Sequence, residues 1–334
     1  MLLSVVLCAC DKTMPTDNDG VVRLGAAVTG ITEALDSDEF VFTGTSAVGM
    51  TAKVLFSPTN GVYKHAPVAP TYMPFHSTIT YSSSPTTIFY DPTTGHLPLT
   101  YPGNEGVYPD VYCVGLYPAD DTADDSINKW TFSDDGTKAY FPITGTNDIM
   151  FAPQISGNWI VPFETQQYNH LLTWLKFEIC ASDVKSAQFW GKILSISVIN
   201  PHNQIEVTLG TGTVDFKDYD YAGQNNHTKS VYNDVNGVEL SITSTYIGQL
   251  LCAPDTESGA TDPVKYRIRV VTEERPEGVE LDVTLKDNNG NPITDYTHTM
   301  CKQYIVMLYF NPFAEIDAQC SLVPWNEQNV DLNR

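Results

Sequence analysis

The stretch VKYRIRVVTEERPEGVELDVTLK, residues 264–286, alternates apolar and polar side chains on either side of a short connector, EERPEG. Tyr266, Ile268 and Val270 alternate with charged residues before the connector, and Leu281 and Val283 do so after it. A period of two puts the apolar side chains on one face of a strand and the charged side chains on the other. The stretch therefore predicts an antiparallel hairpin with one buried and one solvated face.

Three other stretches bear on the secondary structure. KWTFSDDGTKAYFPI, residues 129–143, has an Asp-Gly turn between two aromatic strands, where Gly136 can take the positive φ that such a turn needs. ILSISVIN, residues 193–200, turns at NPHN and returns as QIEVTLG, which predicts another hairpin. VPFETQQYNHLLTWL, residues 161–175, comes nearest to a helical period and predicts one short helix.

Many short strands, separated by Gly, Pro, Asn and Asp, predict an all-β chain made of β-sandwiches. A prior of about 150 residues per domain predicts two domains for 334 residues. The Pro- and Gly-containing stretch APQISGNWIVP, residues 152–162, separates two blocks of strands. We therefore expect an N-terminal β-sandwich over 24–157 and a C-terminal β-sandwich over 158–334.

The chain starts with MLLSVVLCACDK, in which an apolar run ends at two cysteines. The run is too short to cross a membrane but has the length of a secretory signal's apolar region. LCAC resembles a bacterial lipobox, in which a small residue precedes the cysteine that becomes lipidated. Ala9 before Cys10 fits that pattern, so residues 1–10 are predicted to be a lipoprotein signal with Cys10 as the lipidation site. The alternative is an ordinary signal with a chance cysteine pair.

The polar stretch that follows, residues 11–23, is predicted to be a tether or propeptide that ends at Arg23. Arg23 lies in DGVVRLGAAV, and no other arginine occurs between Cys10 and Arg267. It is either a solvent-facing strand residue or a processing site for a trypsin-like protease, which needs an accessible, extended backbone at an arginine.

The charge of the chain excludes one class of partner. Forty acidic and eighteen basic residues give a net charge of −22, and no run of Lys or Arg could neutralise a phosphate backbone. Nucleic acid is therefore not expected as a partner. The same acidity favours solubility in an exported protein.

No motif predicts catalysis or a cofactor. The histidines lack HExxH and H-x-H spacing, and the chain has no GxSxG, P-loop or GxGxxG motif. His170 precedes an apolar strand and is predicted to be a packed corner residue. The acidic stretches TDNDG, ADDTADD and KDNNGNP lack the ligand spacing of a calcium loop and predict turns instead. We therefore expect a non-enzymatic protein without a metal or cofactor.

The cysteines beyond Cys10 do not form a metal or disulfide motif. No C-x-x-C occurs, so we expect core cysteines with at most one bridge, whose members the sequence does not specify. These cysteines are Cys113, Cys180, Cys252, Cys301 and Cys320.

Two short motifs in the acidic loop predict modification. Asp121-Thr122-Ala123 and Asp125-Ser126-Ile127 resemble the O-glycosylation sites of Bacteroidetes exported proteins. Thr122 and Ser126 are therefore candidate O-glycosylation sites.

Five stretches in order resemble the fimbrillin superfamily, the Bacteroidetes lipoprotein pilins that include stalk, tip and anchor subunits. VYCVGLYPA is similar to the family's aromatic strand ending in Tyr-Pro, and NDIMFA to its Asp-apolar-Met-x-Ala stretch. YNHLLTWLKFEI is similar to the His-apolar strand that follows. KQYIVMLYF resembles the family's Tyr-x-Val strand, and CSLVPWNEQ its closing strand with Trp325.

The resemblance implies two transthyretin-like β-sandwich domains in tandem and a structural role in surface fibres, as a stalk or tip subunit. It implies export as an outer-membrane lipoprotein and removal of the N-terminal segment by a trypsin-like or arginine-specific protease. Other pilin subunits would then add a β-strand to the open groove, and the product would belong to the fimbrium. On this sequence Arg23 would be the cut and Leu24 the new N-terminus; a later cut after Lys53 or Lys64, or an uncut anchored subunit, remains open.

A surface glycan-binding lipoprotein is the alternative function. Exposed aromatic side chains would form its sugar-stacking platform. The candidates are Trp130, Trp159, Trp174, Trp190 and Trp325.

Overall fold

The computed structural model describes residues 20–29, 47–64, 75–82, 85–90, 97–103, 107–119, 129–199, 201–219, 228–254, 262–312 and 315–323. Strands account for most of these residues, so the predicted all-β class is confirmed. The strands that precede Leu171 are β1 Arg23–Leu24, β2 Ala26–Thr29, β3 Thr51–Ser57, β4 Phe75–Thr80, β5 Thr86–Thr87, β6 Phe89–Tyr90, β7 Leu97–Pro98, β8 Val111–Tyr117, β9 Thr131–Phe132, β10 Lys138–Pro142, β11 Met150–Gly157 and β12 Gln166–His170.

The rest of the described chain is also mainly strand. A helix, α1, spans Val184–Trp190, and a short 3-10 helix spans Tyr296–His298. The remaining strands are β13 Thr173–Ala181, β14 Lys192–Ile199, β15 Gln204–Thr208, β16 Thr213–Lys217, β17 Lys229–Glu239, β18 Thr245–Cys252, β19 Lys265–Thr272, β20 Arg275–Thr284, β21 Lys302–Phe310 and β22 Ile316–Val323. Within the described ranges, no helix has the length and hydrophobicity that a membrane span requires.

The first hydrophobic core lies mainly between two sheets. One has the order β2-β12-β11-β8-β3-β4, and the other has the order β16-β15-β10-β9. The first sheet is antiparallel except at its edge, where β2 runs parallel to β12. Small sheets of two strands, β1 with β5 and β6 with β7, also border this core.

The second hydrophobic core lies between two four-stranded sheets. Their orders are β18-β13-β21-β22 and β17-β14-β19-β20. β13 and β21 are parallel over nine residue pairs, and their flanking neighbours are antiparallel. Along β13, Trp174 packs in the first core and Leu175 in the second, so the chain passes from one core to the other within this strand.

The hairpin predicted for residues 264–286 is present as β19 and β20. Tyr266 pairs with Val283 and Ile268 with Leu281, and the side chains of Tyr266, Ile268 and Val270 are buried. The hairpin predicted for residues 129–143 is present as β9 and β10. Gly136 has a φ of 71° in its turn, as the Asp-Gly pattern predicted.

Two local predictions were wrong. The β14 strand does not pair with β15: β14 lies between β17 and β19 in the second core, whereas β15 pairs with β10 and β16 in the first. Residues 201–203, the described part of NPHN, therefore lead into a strand of the other core rather than forming a hairpin turn. The helix expected within residues 161–175 is instead the strand β12, where backbone pairing with β11 and β2 overrides a weak helical period.

The α1 helix was not predicted, although its ends carry recognisable signals. Asp183 is the N-cap, and its carboxylate accepts a 2.7 Å hydrogen bond from the Ser186 N–H. Gly191 follows the helix with a φ of 68°. The domain boundary at 157/158 stays a prediction.

Candidate functional site

The residues around the predicted processing site are hydrogen-bonded to two other stretches of the chain. We name Gly20–Leu24 the N-terminal segment. The Val22 N–H donates to the Leu99 carbonyl at 2.7 Å, and the Val22 carbonyl accepts from the Ile88 N–H at 3.1 Å. The Gly20 carbonyl accepts from Tyr101 N–H at 2.8 Å. The first residues of the segment therefore bond to the 97–101 stretch and its last residues to the 86–88 stretch.

The side chains of the N-terminal segment alternate between core and surface. Val22 and Leu24 are fully buried in the first core, whereas Val21 and Arg23 are half-buried. This period of two fixes the register, because a slip by one residue would bring Arg23 into the core. Arg23 of β1 lies opposite Thr87 of β5 in the antiparallel pair that these two strands form.

A tryptophan covers the start of the segment. Gly20 has a φ of 71°, and a Cβ atom built on it would lie 2.0 Å from the Trp159 ring. Only a residue without a side chain can occupy this place while the indole keeps its position. Trp159 thus acts as a cover over the point where the described chain enters the first core.

After the predicted cleavage site, the chain is hydrogen-bonded to the six-stranded sheet of the first core. The Gly25 carbonyl accepts a 2.9 Å hydrogen bond from the Gln166 N–H, and β2 then pairs with β12 in parallel. Gln166 is itself buried, where its side-chain oxygen accepts a 2.7 Å hydrogen bond from Tyr81. A new N-terminus at Leu24 would therefore be the last residue of the N-terminal segment and would directly precede Gly25 and β2, which are hydrogen-bonded to β12.

The other predicted site residues fall in different places. Cys10, the tether up to residue 19, Thr122, Ser126 and Trp325 lie outside the described residues. Lys53 lies in β3, which pairs with β4 on one side and β8 on the other. Lys64 is exposed and lies outside the strands.

Three of the five tryptophans proposed for a sugar platform are buried. Trp130, Trp174 and Trp190 pack in the cores, with no more than 5% of their surface exposed. Trp159 is half-buried and stacks on Tyr108, with ring centroids 6.3 Å apart and an interplanar angle of 25°. Beside this pair, the Asn158 side-chain amide donates to the Asp110 carboxylate at 2.8 Å.

His170 is buried at the end of β12, as predicted for a packed corner residue. Its Nδ1 lies 2.8 Å from Oδ2 and 3.0 Å from Oδ1 of Asp148, and both side chains are at most 2% exposed. The Cys301 thiol donates to the His170 carbonyl, and the Cys301 N–H donates to Leu172 at 3.1 Å. Burial, with the Asp148 carboxylate nearby, raises the pKa of Cys301 to about 11. These contacts join the loop before β21 to the turn between β12 and β13.

The described cysteines are all free thiols: Cys113, Cys180, Cys252, Cys301 and Cys320. Burial raises the pKa of Cys320 to about 12 and that of Cys113 well above its ordinary value, which keeps both protonated at neutral pH. Within the described ranges, no three His, Cys, Asp or Glu side chains are grouped so that they could hold a metal ion.

The sequence did not reveal the partners of the N-terminal segment. Ile88 lies between the two-residue strands β5 and β6, Leu99 directly follows the two-residue strand β7, and their contacts with Val22 span more than sixty positions. Pattern reasoning finds periodic segments but not long-range pairs. The available signal in the sequence was Arg23 between the apolar residues Val22 and Leu24.

No protein-family model matches the chain, and no curated protein matches it in sequence. Solved structures match nearly its whole length. A candidate cell adhesion protein from Bacteroides uniformis is 14% identical, with a TM-score of 0.52 over 93% of this chain and 100% of that one. A candidate adhesin from Bacteroides thetaiotaomicron is 8% identical, with a TM-score of 0.52 over 92% and 98%. The resemblance inferred from the ordered motifs is thus confirmed as a shared fold.

Proposed function

We propose that the chain is a non-enzymatic structural subunit, stalk or tip, of a cell-surface fibre. It is exported as an outer-membrane lipoprotein attached through Cys10 and processed after Arg23. Subunits then join by β-strand exchange, in which another subunit's strand takes the place of residues 20–23. The names of the structural relatives, adhesin and adhesion protein, agree with this role.

The observation that carries the proposal is the place of Val22 in the first core. Its side chain is fully buried, and its backbone bonds to Leu99 and Ile88; we call the space that residues 20–23 fill there the slot. When residues 20–23 depart, the groups of the 86–88 and 97–101 stretches that bond to Gly20 and Val22 would lose their partners, and the core pocket of Val22 would open. An incoming strand can recover the main-chain hydrogen bonds and fill the pocket with alternate side chains. An open slot otherwise invites uncontrolled aggregation, so proteolytic removal of its occupant would limit exchange to processed subunits.

Energetics favour an apolar replacement strand. Burial of a Val or Leu side chain stabilises by about 1.5–3 kcal/mol, and Val22 and Leu24 are both fully buried. Loss of Val22 with residues 20–23 would leave its pocket empty. A donor strand with apolar residues at alternate positions would restore that contribution, whereas a polar strand would not.

Processing after Arg23 requires local opening. A protease binds its substrate as an extended, accessible strand, but Leu24 is fully buried and the segment is hydrogen-bonded to two other stretches of the chain. The cut would also create a charged amino group at Leu24. Because burying an unpaired charge is costly, the new N-terminus would turn outward and widen the slot.

The test is made on protein extracted from the native cell surface. N-terminal sequencing should give Leu24, and a denaturing gel run without boiling should show a ladder of multimers that boiling collapses. Arg23→Ala should abolish both the Leu24 N-terminus and the ladder of multimers. Arg23→Lys should preserve both if the protease is trypsin-like and abolish both if it is arginine-specific. A lipidated Cys10 terminus with a single monomer band in the unaltered protein would refute the assembly model.

Glycan binding is the second candidate function, favoured by the Tyr108–Trp159 ring pair beside Asp110 and Asn158. Aromatic faces stack on sugar rings, and neighbouring carboxylate and amide groups bind sugar hydroxyls. Titration with surface polysaccharides should quench tryptophan fluorescence if this site binds them. Tyr108→Ala should abolish that quenching, and an unchanged response would exclude this ring pair as the binding site.

A further inference from the structure

Two pairs of residues face each other inside the first core, one pair on β8 and the other on β12. Cys113 and Gly115 are two positions apart on β8, and Gln166 and Tyr168 are two positions apart on β12. Residues at this spacing share one face of a strand. Because β11 lies between β8 and β12 in the sheet, the two pairs meet through their side chains.

The pairs fit closely and are shielded from water. The side chains of Cys113, Gln166 and Tyr168 are fully buried. A Cβ atom built on Gly115 would lie 2.1 Å from the Tyr168 hydroxyl oxygen, so the glycine leaves the space that this hydroxyl occupies. The arrangement therefore places polar and nucleophilic groups together where solvent does not reach them.

The Cys113 sulfur lies against the side-chain amide of Gln166. The Gln166 Nε2 donates a hydrogen bond to the Cys113 Sγ at 3.4 Å. The amide carbon Cδ is one covalent bond away from Nε2. A thiol is consequently held beside an acyl carbon and beside the nitrogen that would leave that carbon, which is the arrangement that acyl transfer to sulfur requires.

The oxygen of the same amide is held by phenolic hydroxyl groups. The Tyr81 hydroxyl donates to Gln166 Oε1 at 2.7 Å, and the Tyr168 hydroxyl lies 3.0 Å from that of Tyr81 and 3.5 Å from Oε1. Burial raises the pKa of both phenols above the ordinary value, so both keep their protons at neutral pH. Donors fixed on a carbonyl oxygen stabilise the negative charge that develops there when its carbon is attacked.

We propose that Cys113 and Gln166 join in an intramolecular thioester, with release of ammonia. The Sγ–Cδ bond forms while Tyr81 stabilises the charge on Oε1, and the Cδ–Nε2 bond then breaks. The thiol proton passes to Nε2, so the nitrogen leaves as neutral ammonia. Sulfur is acylated and not oxidised, and the step needs no other reactant.

Burial acts on both the formation and the survival of this bond. It raises the pKa of the Cys113 thiol well above its ordinary value, so the proton that ammonia needs stays on sulfur until the attack. Water would hydrolyse a thioester to a thiol and a carboxylate, and the closed core excludes it. Ammonia that escapes into solvent is diluted, which disfavours the reverse reaction.

The product is a latent acylating group whose substrate class is primary amines. An amine that attacks the thioester carbonyl forms an amide at Gln166 and frees the Cys113 thiol. Because both residues are fully buried, the attack requires local opening of the strands around them. This covalent chemistry goes beyond the proposed fibre role and does not depend on strand exchange, so either proposal can fail without the other.

The test is the mass of the folded full-length chain, with Cys10→Ala so that no lipid changes it. The mass should be lower, by one ammonia, than the mass calculated from the sequence. Methylamine in urea, which exposes the buried bond, should then add once. Peptide mass spectrometry should place the adduct at Gln166, with Cys113 newly reactive towards iodoacetamide. A folded chain with the full calculated mass would overturn the proposal.

Variants separate this bond from other losses of ammonia. Cys113→Ala removes the nucleophile and should keep the full calculated mass. Cys252→Ala is the matched control, since Cys252 is also buried but lies in the second core, and it should still lack one ammonia. A loss that persists in Cys113→Ala, or that disappears in Cys252→Ala, would contradict the assignment. Thermal unfolding confirms that each variant is folded.

A third variant tests the role of the phenol. Chain recovered unfolded from inclusion bodies starts without the bond, so refolding gives a time course for the loss of mass. Tyr81→Phe keeps the ring but removes the donor to Oε1, and it should slow the loss by about a hundredfold. Tyr101→Phe is the control, because the Tyr101 hydroxyl lies in the same core but accepts from the Phe163 N–H. Equal rates for Tyr81→Phe and Tyr101→Phe would refute oxyanion stabilisation by Tyr81.

Discussion

At the scale of single residues, Gly20 controls how the N-terminal segment enters the core. Its positive φ and the Trp159 ring leave no room for a Cβ. Among the tryptophans suggested for sugar stacking, Trp159 therefore has a packing role that the sequence did not reveal. Its partner is a glycine more than a hundred residues away, and glycine carries no periodic signal.

We expect Gly20→Ala to loosen the segment and to speed cleavage after Arg23 by an arginine-specific protease by about tenfold, since overpacking costs about 1–3 kcal/mol. The time course of Leu24 N-terminus formation measures the effect. Gly49→Ala is the control, because Gly49 has a φ of 87° but no atom within 4 Å of the added Cβ. Equal cleavage rates for Gly20→Ala and the unaltered chain would contradict the role of Trp159 as a cover.

The second residue-scale prediction concerns the buried Asp148–His170 pair. His170→Leu leaves the Asp148 carboxylate buried without its partner and should lower the free energy of unfolding by about 3–5 kcal/mol. Urea denaturation measures the loss. His298→Leu removes an exposed contact to Asp295 at 3.9 Å and should cost under about 1 kcal/mol. Adding Asp148→Asn to His170→Leu should recover part of the loss, and purely additive losses would argue against a coupled pair.

At the scale of elements, strands with one solvent-exposed face were predictable from the sequence. Strands that bury polar side chains were not. The alternation in β19 and β20 predicted the hairpin because charged and apolar side chains separate cleanly there. β12 buries Gln166, Tyr168 and His170, whose polar groups bond within the core, so its apolar pattern is weak. The pairing partners of β14 and β15 depend on which core each strand joins, and the local sequence does not encode that choice.

The β9–β10 turn allows a prediction for acid conditions. The Ser133 hydroxyl, with the N–H and hydroxyl of Thr137, lowers the pKa of Asp135 from 3.8 to about 2. A lowered pKa stabilises the fold above the unfolded value, and this contribution disappears as the pH falls from about 4 to about 2.

Asp135→Asn should therefore reduce stability at pH 6 and have less effect at pH 2. Unfolding midpoints in urea across this range provide the measurement. Asp134→Asn, in the same turn, is the control. A deficit that is independent of pH would show that the carboxylate charge is not what stabilises the turn.

At the scale of the whole molecule, the first core includes Val22, which processing after Arg23 would remove. Cleavage after Arg23 should lower the unfolding temperature of the chain once residues 1–23 dissociate. Adding a synthetic peptide of residues 16–23 should raise that temperature again in a concentration-dependent way, because the ligand binds only the folded state. Differential scanning calorimetry records both changes.

The matched control for this complementation is the same peptide with Val22→Asp. It keeps the backbone groups but places a carboxylate in the apolar pocket, so it should not restore the unfolding temperature. Equal restoration by both peptides would mean that backbone pairing alone fills the slot and that Val22 contributes no specificity.

The parallel pairing of β2 with β12 has a mechanical consequence. Tension applied at Ala26 and passed on through His170 pulls two parallel strands from opposite ends, so it acts in shear. The backbone bonds between Ala26–Thr29 and Gln166–Asn169 then share the load and must break together, whereas an antiparallel pair pulled from one end opens bond by bond. The same geometry recurs in the nine-pair register of β13 with β21. Each core therefore has a parallel strand pair suited to resist stretching along the chain.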